Sequence, residues 1–171
     1  MIQACSNWRS YRRVPEHAMP HEWRSWVLDR GSLTKRLIRA SSGQFRVNLK
    51  HYGWAIPSHD ESRILGIKSR EQALIREVEL LCFEKVWVCA RSVIPCSTLS
   101  GEERQLQHLG TRPLGAYLFA SRAMRRGPIE LAKVNGNIHQ LGYARRSVFT
   151  LHNKALLVSE TFLPEILNYH A

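Results

Sequence analysis

The chain has 171 residues, 44% of them hydrophobic and 23% charged, which suits one domain with a real core and excludes a disordered chain. Its 25 Lys and Arg against 14 Asp and Glu leave a formal charge of +11, which admits nucleic acid, an acidic surface or an anionic small molecule as partner. No apolar run reaches the roughly 18 residues of a membrane span, and the opening "MIQACSNWRSYRRVPEH" lacks the apolar core of a signal peptide, so a cytoplasmic protein without membrane insertion is expected.

Residues 1–19 carry Arg9, Arg12 and Arg13 with no acid before Glu16 and read as a short basic arm ahead of a domain over 20–171. Pro20 opens a helix, "HEWRSWVLDR", with Trp23, Trp26 and Val27 on one side, and Gly31 ends it. Ser32 caps a second helix, "LTKRLIRAS". "SGQFRVNLKHYGWAIP" alternates as a strand, with Phe45, Val47 and Leu49 on one face, and the polar "SHDESRILGIKSRE" reads as a loop. "EQALIREVELLCFEKVWVCARSVIP", residues 71–95, reads as two strands around a two-residue turn at Glu84-Lys85. That turn pairs Phe83 with Val86, Val78 with Arg91 and Arg76 with Val93. One face then carries Leu74, Arg76, Val78, Leu80 and Cys82 beside Trp87, Cys89, Arg91 and Val93. A single arginine there would lay its stem on apolar surface and keep its head in water. Two on one apolar face repel unless an anion lies between them, and guanidinium matches carboxylate with parallel hydrogen bonds.

After Pro95 the pattern turns helical. "SGEE" reads as a capping box from Ser100 to Glu103, Leu106 and Leu109 supply an apolar side, Gly110 stops the helix, and Pro113 opens another, "PLGAYLFA". "PIELAKVNG" and "RRSVFTLHNKALLVSETFLP" are strand-like, the second with a turn at Asn153-Lys154. That turn pairs Leu151 with Leu156, Phe149 with Val158 and Ser147 with Glu160, and sets Glu160 on a face with Leu156, Val158 and Phe162. A carboxylate in such company is disfavoured in its charged form, which suits a general acid; the plainer alternative is an edge Glu that reaches water or a local Arg. The sum is an α+β domain with a mostly antiparallel sheet of about six strands and helices inserted at 20–41 and 97–120.

The remaining signals argue for little. Cys5, Cys82, Cys89 and Cys96 form no CxxC pair and read as free thiols. The eight histidines show no metal spacing, since Pro20 interrupts His17 and His21, so no metal is expected. The basic runs "RSYRR", "TKRLIR", "RAMRR" and "ARR" are scattered, and only the last two could form a patch. Without a zinc-finger or RNP signature they read as solvated surface, and no nucleic-acid partner is expected.

Several segments, in order, resemble chorismate lyase. "SLTKR" (32–36) resembles the family's N-terminal flap, "LIREVELL" (74–81) the strand with its essential arginine, and "RSVIPCSTLSGEERQLQHLGTRPLGAYLF" (91–119) is the longest match. "RRSVFTLHNKALLVSETFLP" (145–164) resembles the C-terminal hairpin with its acid. The resemblance covers about residues 20 to 165 and implies an antiparallel sheet with helical flaps over a buried site. It implies elimination of pyruvate from chorismate to give 4-hydroxybenzoate, toward ubiquinone, with no metal or redox cofactor. It places the carboxylate-binding arginine at Arg76, the acid at Glu160 and further ligand contacts at Leu33 and Leu114, Leu33 standing where the family commonly has Met. Arg91 is then expected beside Arg76, to help with the second carboxylate. Slow product release and a monomer are also expected. The same fold resembles the effector domain of some bacterial transcription regulators, a non-catalytic sensor of small carboxylates. Those carry a winged-helix domain ahead of it, whereas about 20 residues precede the resemblance here. The presence of both Arg76 and Glu160 favours the enzyme.

Overall fold

The structure is a computed structural model and describes residues 7–135 and 141–169. Cys5 and the first six residues of the expected arm lie outside the described residues, as does the end of the "PIELAKVNG" segment. The chain runs β1 (Arg9–Ser10), α1 (His21–Val27), α2 (Leu33–Ala40), β2 (Phe45–Ala55), α3 (His59–Leu65), β3 (Ala73–Cys82), β4 (Lys85–Pro95), α4 (Leu114–Ala120), β5 (Arg125–Arg126), β6 (Glu130–Asn135), β7 (Leu141–Leu151) and β8 (Lys154–Phe162). Short 3₁₀ segments fill the connections, the longest being Gly101–His108.

All the strands join one antiparallel sheet in the order β1-β6-β7-β8-β4-β3-β2, with β5 also pairing β7. Among the described residues the sheet therefore has eight strands rather than the expected six, and β1 and β5 account for the difference. Each is two residues long, too short to leave a periodic signal. Arg9 pairs with Leu131, so residues just ahead of α1 already belong to the sheet edge.

The helices sit where their apolar residues dictate. Trp23, Trp26 and Val27 of α1 and Leu33 and Leu37 of α2 pack on Val78, Leu80, Trp87 and Val88 over one half of the sheet's inner face. Leu106, Leu109, Leu114 and Leu118 pack on Leu74, Ile94, Phe149 and Leu156 over the other half. Each half of the inner face thus has its own helical flap. On the outer face α3 lays Ile64 and Leu65 against Ala73, Ile75, Val93 and Leu157. Among the described residues, no helix is long and apolar enough to cross a membrane.

Two local expectations change. Residues 59–65 form a helix, and the capping box lies at Ser58, whose hydroxyl accepts from Glu61 N while the Glu61 carboxylate accepts from Ser58 N. At Ser100 no cap bond forms and the following segment is 3₁₀. Glu103 instead turns inward, 3% exposed, to Lys154 at 2.6 Å and His152 at 2.8 Å. Two partners in the β7–β8 hairpin claim the carboxylate that a capping box would have used.

Both hairpin turns fall one residue earlier than expected. They lie at Phe83-Glu84 and His152-Asn153, where all four residues have positive φ, the conformation that two-residue hairpin turns require. Moving such a turn by one residue shifts every cross-strand partner by two and leaves the faces unchanged. A bulge is different, because it shifts partners by one and exchanges the faces. The β3–β4 pair has such an irregularity after Leu80, beyond which Arg76 pairs with Ser92 and Glu77 with Arg91. Arg91 therefore leaves the face of Arg76. The β7–β8 pair is regular, so Glu160 keeps its face and meets Arg145 rather than Ser147.

Candidate active site

A cavity lies at the seam between the two flaps. Its floor is the inner face of β3, β4, β8 and β7, and α2 and α4 form its roof. In the centre of the floor Ala90 and Ser92 follow each other along β4. Small side chains there leave a trough between the larger residues of the flanking strands.

Arg76 borders the trough from β3 and is only 2% exposed. Its Nε donates to the carbonyl of Gly110 at 3.0 Å, and its Nη2 to that of Arg112 at 2.9 Å. Gly110 has φ +54, a conformation that glycine adopts freely, and the chain there turns to bring both carbonyls over the guanidinium. Tyr52, the cross-strand partner of Arg76, ties down the same flap by donating to the Leu106 carbonyl at 2.7 Å. Arg76 makes no ion pair among the described residues, and burial pushes its pKa down. A cation taken out of water without an acid is unfavourable until an anion arrives.

Glu160 borders the trough from β8, next to Ala90. Its surroundings differ from the apolar set that the pattern implied. Arg145, 1% exposed, donates from Nε to Glu160 Oε2 at 2.5 Å. Arg145 Nη1 reaches the carbonyls of Val27 at 3.2 Å and Asp29 at 2.6 Å, at the end of α1. The acid is thus clamped by a guanidinium that the first flap itself holds in place.

Leu33 and Leu114 also border the cavity, 5% and 6% exposed. Each opens a helix, α2 and α4, so its backbone N–H has no acceptor within its own helix. The helices meet closely there: a Cβ on Gly115 would stand 2.9 Å from Thr34 Oγ1.

Four of the five expected site residues, Arg76, Glu160, Leu33 and Leu114, therefore share one cavity. The fifth, Arg91, does not. It lies on the outer face, bound to Glu61 through Nε at 2.7 Å and to Glu77 through Nη1 at 2.7 Å. There it fastens α3 to the sheet. Arg146 does the same work from β7, bonding Asp60 of α3 and Glu130 of β6.

Two cavity residues were not legible as such in the sequence. Arg145 stands on the inner face of β7 with Ser147 and Phe149, and the correct turn would have set it opposite Glu160. Arg126 enters from the two-residue β5, which has no pattern to read. "ARR" is not solvated surface, because Arg145 and Arg146 are 1% and 5% exposed, whereas Arg122 and Arg125 of "RAMRR" are exposed. Glu102, Glu103 and His152 bring potential metal ligands within 4.8 Å of one another. Lys154 already supplies the positive charge there, 2.6 Å from Glu103.

A flap-covered cavity on one face of an antiparallel sheet is a concave setting of the kind that small molecules occupy. The comparisons narrow it further. Residues 8–170 match the family model described as chorismate lyase, and the chain belongs to that family. It is 44% identical over 155 residues to the "Probable chorismate pyruvate-lyase" of Methylococcus capsulatus, covering 84% of this chain and 96% of that one. It is 38% identical over 165 residues to the "Chorismate pyruvate-lyase" of Hamiltonella defensa, covering 95% and 88%. Among solved structures it resembles the C-terminal domain of the histidine utilization repressor from Pseudomonas syringae, with TM-score 0.59, 4% identity and coverage of 71% and 92%. It also resembles a GntR-family transcriptional regulator from Bacillus cereus, with TM-score 0.55, 10% identity and coverage of 71% and 93%. At such identities the likeness is one of fold alone.

Proposed function

We propose that this protein eliminates pyruvate from chorismate to give 4-hydroxybenzoate, the step that commits chorismate toward ubiquinone. The observation that carries the reading is the buried Arg76, without an ion-pair partner among the described residues, in the same cavity as Glu160 of a chorismate lyase family member. In this reading Arg76 takes the ring carboxylate, its orientation preset by the Gly110 and Arg112 carbonyls. The ring lies over Ala90 and Ser92 toward Glu160.

Glu160 donates a proton to the ether oxygen as the C–O bond breaks. Arg145, at 2.5 Å, stabilises the carboxylate left behind. The ring gives up one proton, which replaces the one Glu160 donated, and becomes aromatic, and the three-carbon fragment leaves as the enol of pyruvate. Aromatisation drives the reaction, so its chemistry calls for no redox cofactor. Closed flaps keep water from these charges and strengthen them, and they also hold the aromatic product, so release is slow.

The test is to mix purified protein with chorismate in metal-chelated buffer, following 4-hydroxybenzoate by ultraviolet absorbance and pyruvate in parallel. Equimolar formation of both is the expected result. Tight binding of 4-hydroxybenzoate with no turnover would make the protein a carboxylate sensor instead.

A further inference from the structure

Chorismate carries two carboxylates, and the outward position of Arg91 leaves the second without the partner that the sequence pattern offered. We propose that Arg126 receives this second carboxylate, the one on the departing three-carbon fragment, at the end of the cavity opposite Arg76. The inference rests on the function proposed above and deepens it.

Three observations carry it. The first is position. Arg76 enters the cavity from β3 and Arg126 from β5, with β4, β8 and β7 between them. Glu160 on β8 thus lies midway across the floor, and Arg145 on β7 lies on the Arg126 side. A ligand whose ring carboxylate sits on Arg76 and whose ether oxygen faces Glu160 directs its side chain toward Arg126.

The second is the way Arg126 is held. Its Nε donates to Ser147 Oγ at 3.1 Å, its Nη1 reaches the Asp29 carbonyl at 3.3 Å, and its guanidinium lies 5.2 Å from the centre of the Phe149 ring. These contacts orient the fork without neutralising it, and Nη2 has no protein partner among the described residues.

The third is charge. The acids nearest Arg126 are committed elsewhere: Glu160 to Arg145 at 2.5 Å, and Asp29 to Arg36 at 3.3 Å and to the Gly31 N–H at 2.8 Å. Burial first, then the like charge of Arg145, pushes the Arg126 pKa down to about 10. A carboxylate delivered by the ligand relieves both. The cavity therefore has a cation without its own acid at each end, which matches a dianion better than a monoanion.

The assignment also divides the work. The ring carboxylate stays with 4-hydroxybenzoate, whereas the second leaves with pyruvate. Arg76 would then hold substrate and product alike, and Arg126 only the substrate and the departing fragment.

The experiment uses the full chain and two stable probes, 4-hydroxybenzoate with one carboxylate and 3-(carboxymethoxy)benzoate with two, titrated calorimetrically into wild type, Arg126→Met and Arg126→Lys. Loss of a charge-assisted hydrogen bond weakens binding by about ten- to a hundred-fold. Arg126→Met is expected to lose that factor for the dianion and to change 4-hydroxybenzoate affinity by less than about twofold, which also verifies the fold. Arg126→Lys, with a cation but no fork, is expected to fall between. Unchanged dianion affinity, or an equal loss for both probes, would overturn the assignment. Chorismate turnover by the wild type, run in parallel, tests the proposed reaction separately. A selective dianion loss in an enzyme that leaves chorismate untouched would sink the reaction and keep the Arg126 site.

Discussion

Replacing Arg76 by Met separates what the ligand gains from what the fold gains. In the unliganded protein the guanidinium is 2% exposed and bonded to two carbonyls. Holding a cation out of water without an acid costs several kcal/mol. Met removes that cost at similar volume but leaves the Gly110 and Arg112 carbonyls without donors, at about 1–3 kcal/mol each. The two effects oppose, so the variant's stability should stay within about 2 kcal/mol of wild type, or roughly 4–8 °C in a chain of this size. The ligand has no such compensation. A carboxylate on Arg76 takes two charge-assisted bonds of about 1.5–3 kcal/mol each, so its loss weakens binding by roughly 10²- to 10⁴-fold.

Thermal melts read both quantities at once. At about 100 times the wild-type Kd, 4-hydroxybenzoate stabilises the wild type by about 2.7 kcal/mol and a variant bound a hundred-fold more weakly by about 0.4 kcal/mol. The expected result is a melting temperature near wild type without ligand and almost no rise with it. A full ligand-induced rise would remove Arg76 from the site. A variant that unfolds outright would refute the sign of the argument, because the buried cation would then be stabilising the empty protein.

Four further outcomes follow from the geometry. Glu160→Gln should lower kcat by roughly 10²- to 10⁴-fold while calorimetry shows a far smaller change in 4-hydroxybenzoate affinity; wild-type turnover would end its role as the acid. Arg91→Ala, which loses the quarter-exposed ion pairs to Glu61 and Glu77, should lower stability by about 1–2 kcal/mol in urea titrations with ligand affinity intact. Weaker binding at unchanged stability would return Arg91 to the site. Gly115→Ala places a methyl 2.9 Å from Thr34 Oγ1, parts the flap helices and should speed 4-hydroxybenzoate release in stopped-flow. Slow release should return in the Gly115→Ala, Thr34→Ala double variant, and unaltered release in the single variant would mean that the flaps do not gate the product. Glu103 is buried, but bonds from Lys154 and His152 bring its pKa down from 4.5 to about 2. A folded pKa below the unfolded one gives stability that is present above pH 4.5 and lost as pH falls toward about 2. The stability difference between wild type and Glu103→Gln should therefore shrink as pH falls across that window, and a difference that stays constant there would remove the pair from the account.

The sequence was most informative where its periods were long. Trp23, Trp26 and Val27 on one side of α1, the Ser32 cap and the strands β3, β4 and β8 are all seen in the structure. Misplaced turns did little harm, because a two-residue turn moved by one residue keeps every side chain on its face. The bulge near Trp87 did more. Nothing local in "KVWVCAR" marks an extra residue, yet it carried Arg91 from the cavity to the outer face. The capping boxes show a second limit. "SHDE" and "SGEE" have the same spacing, and only the tertiary partners of Glu103, Lys154 and His152, decide that the second is not a cap. Arg126 shows a third, since a two-residue strand has no period and its place in the cavity depends wholly on β7.

A crystal structure of the complex with 4-hydroxybenzoate tests the central claim most directly. The account predicts the carboxylate on Arg76, the ring over Ala90 and Ser92, and the hydroxyl toward Glu160. A ligand bound outside this cavity, or turned with its carboxylate on the Glu160 side, would contradict it.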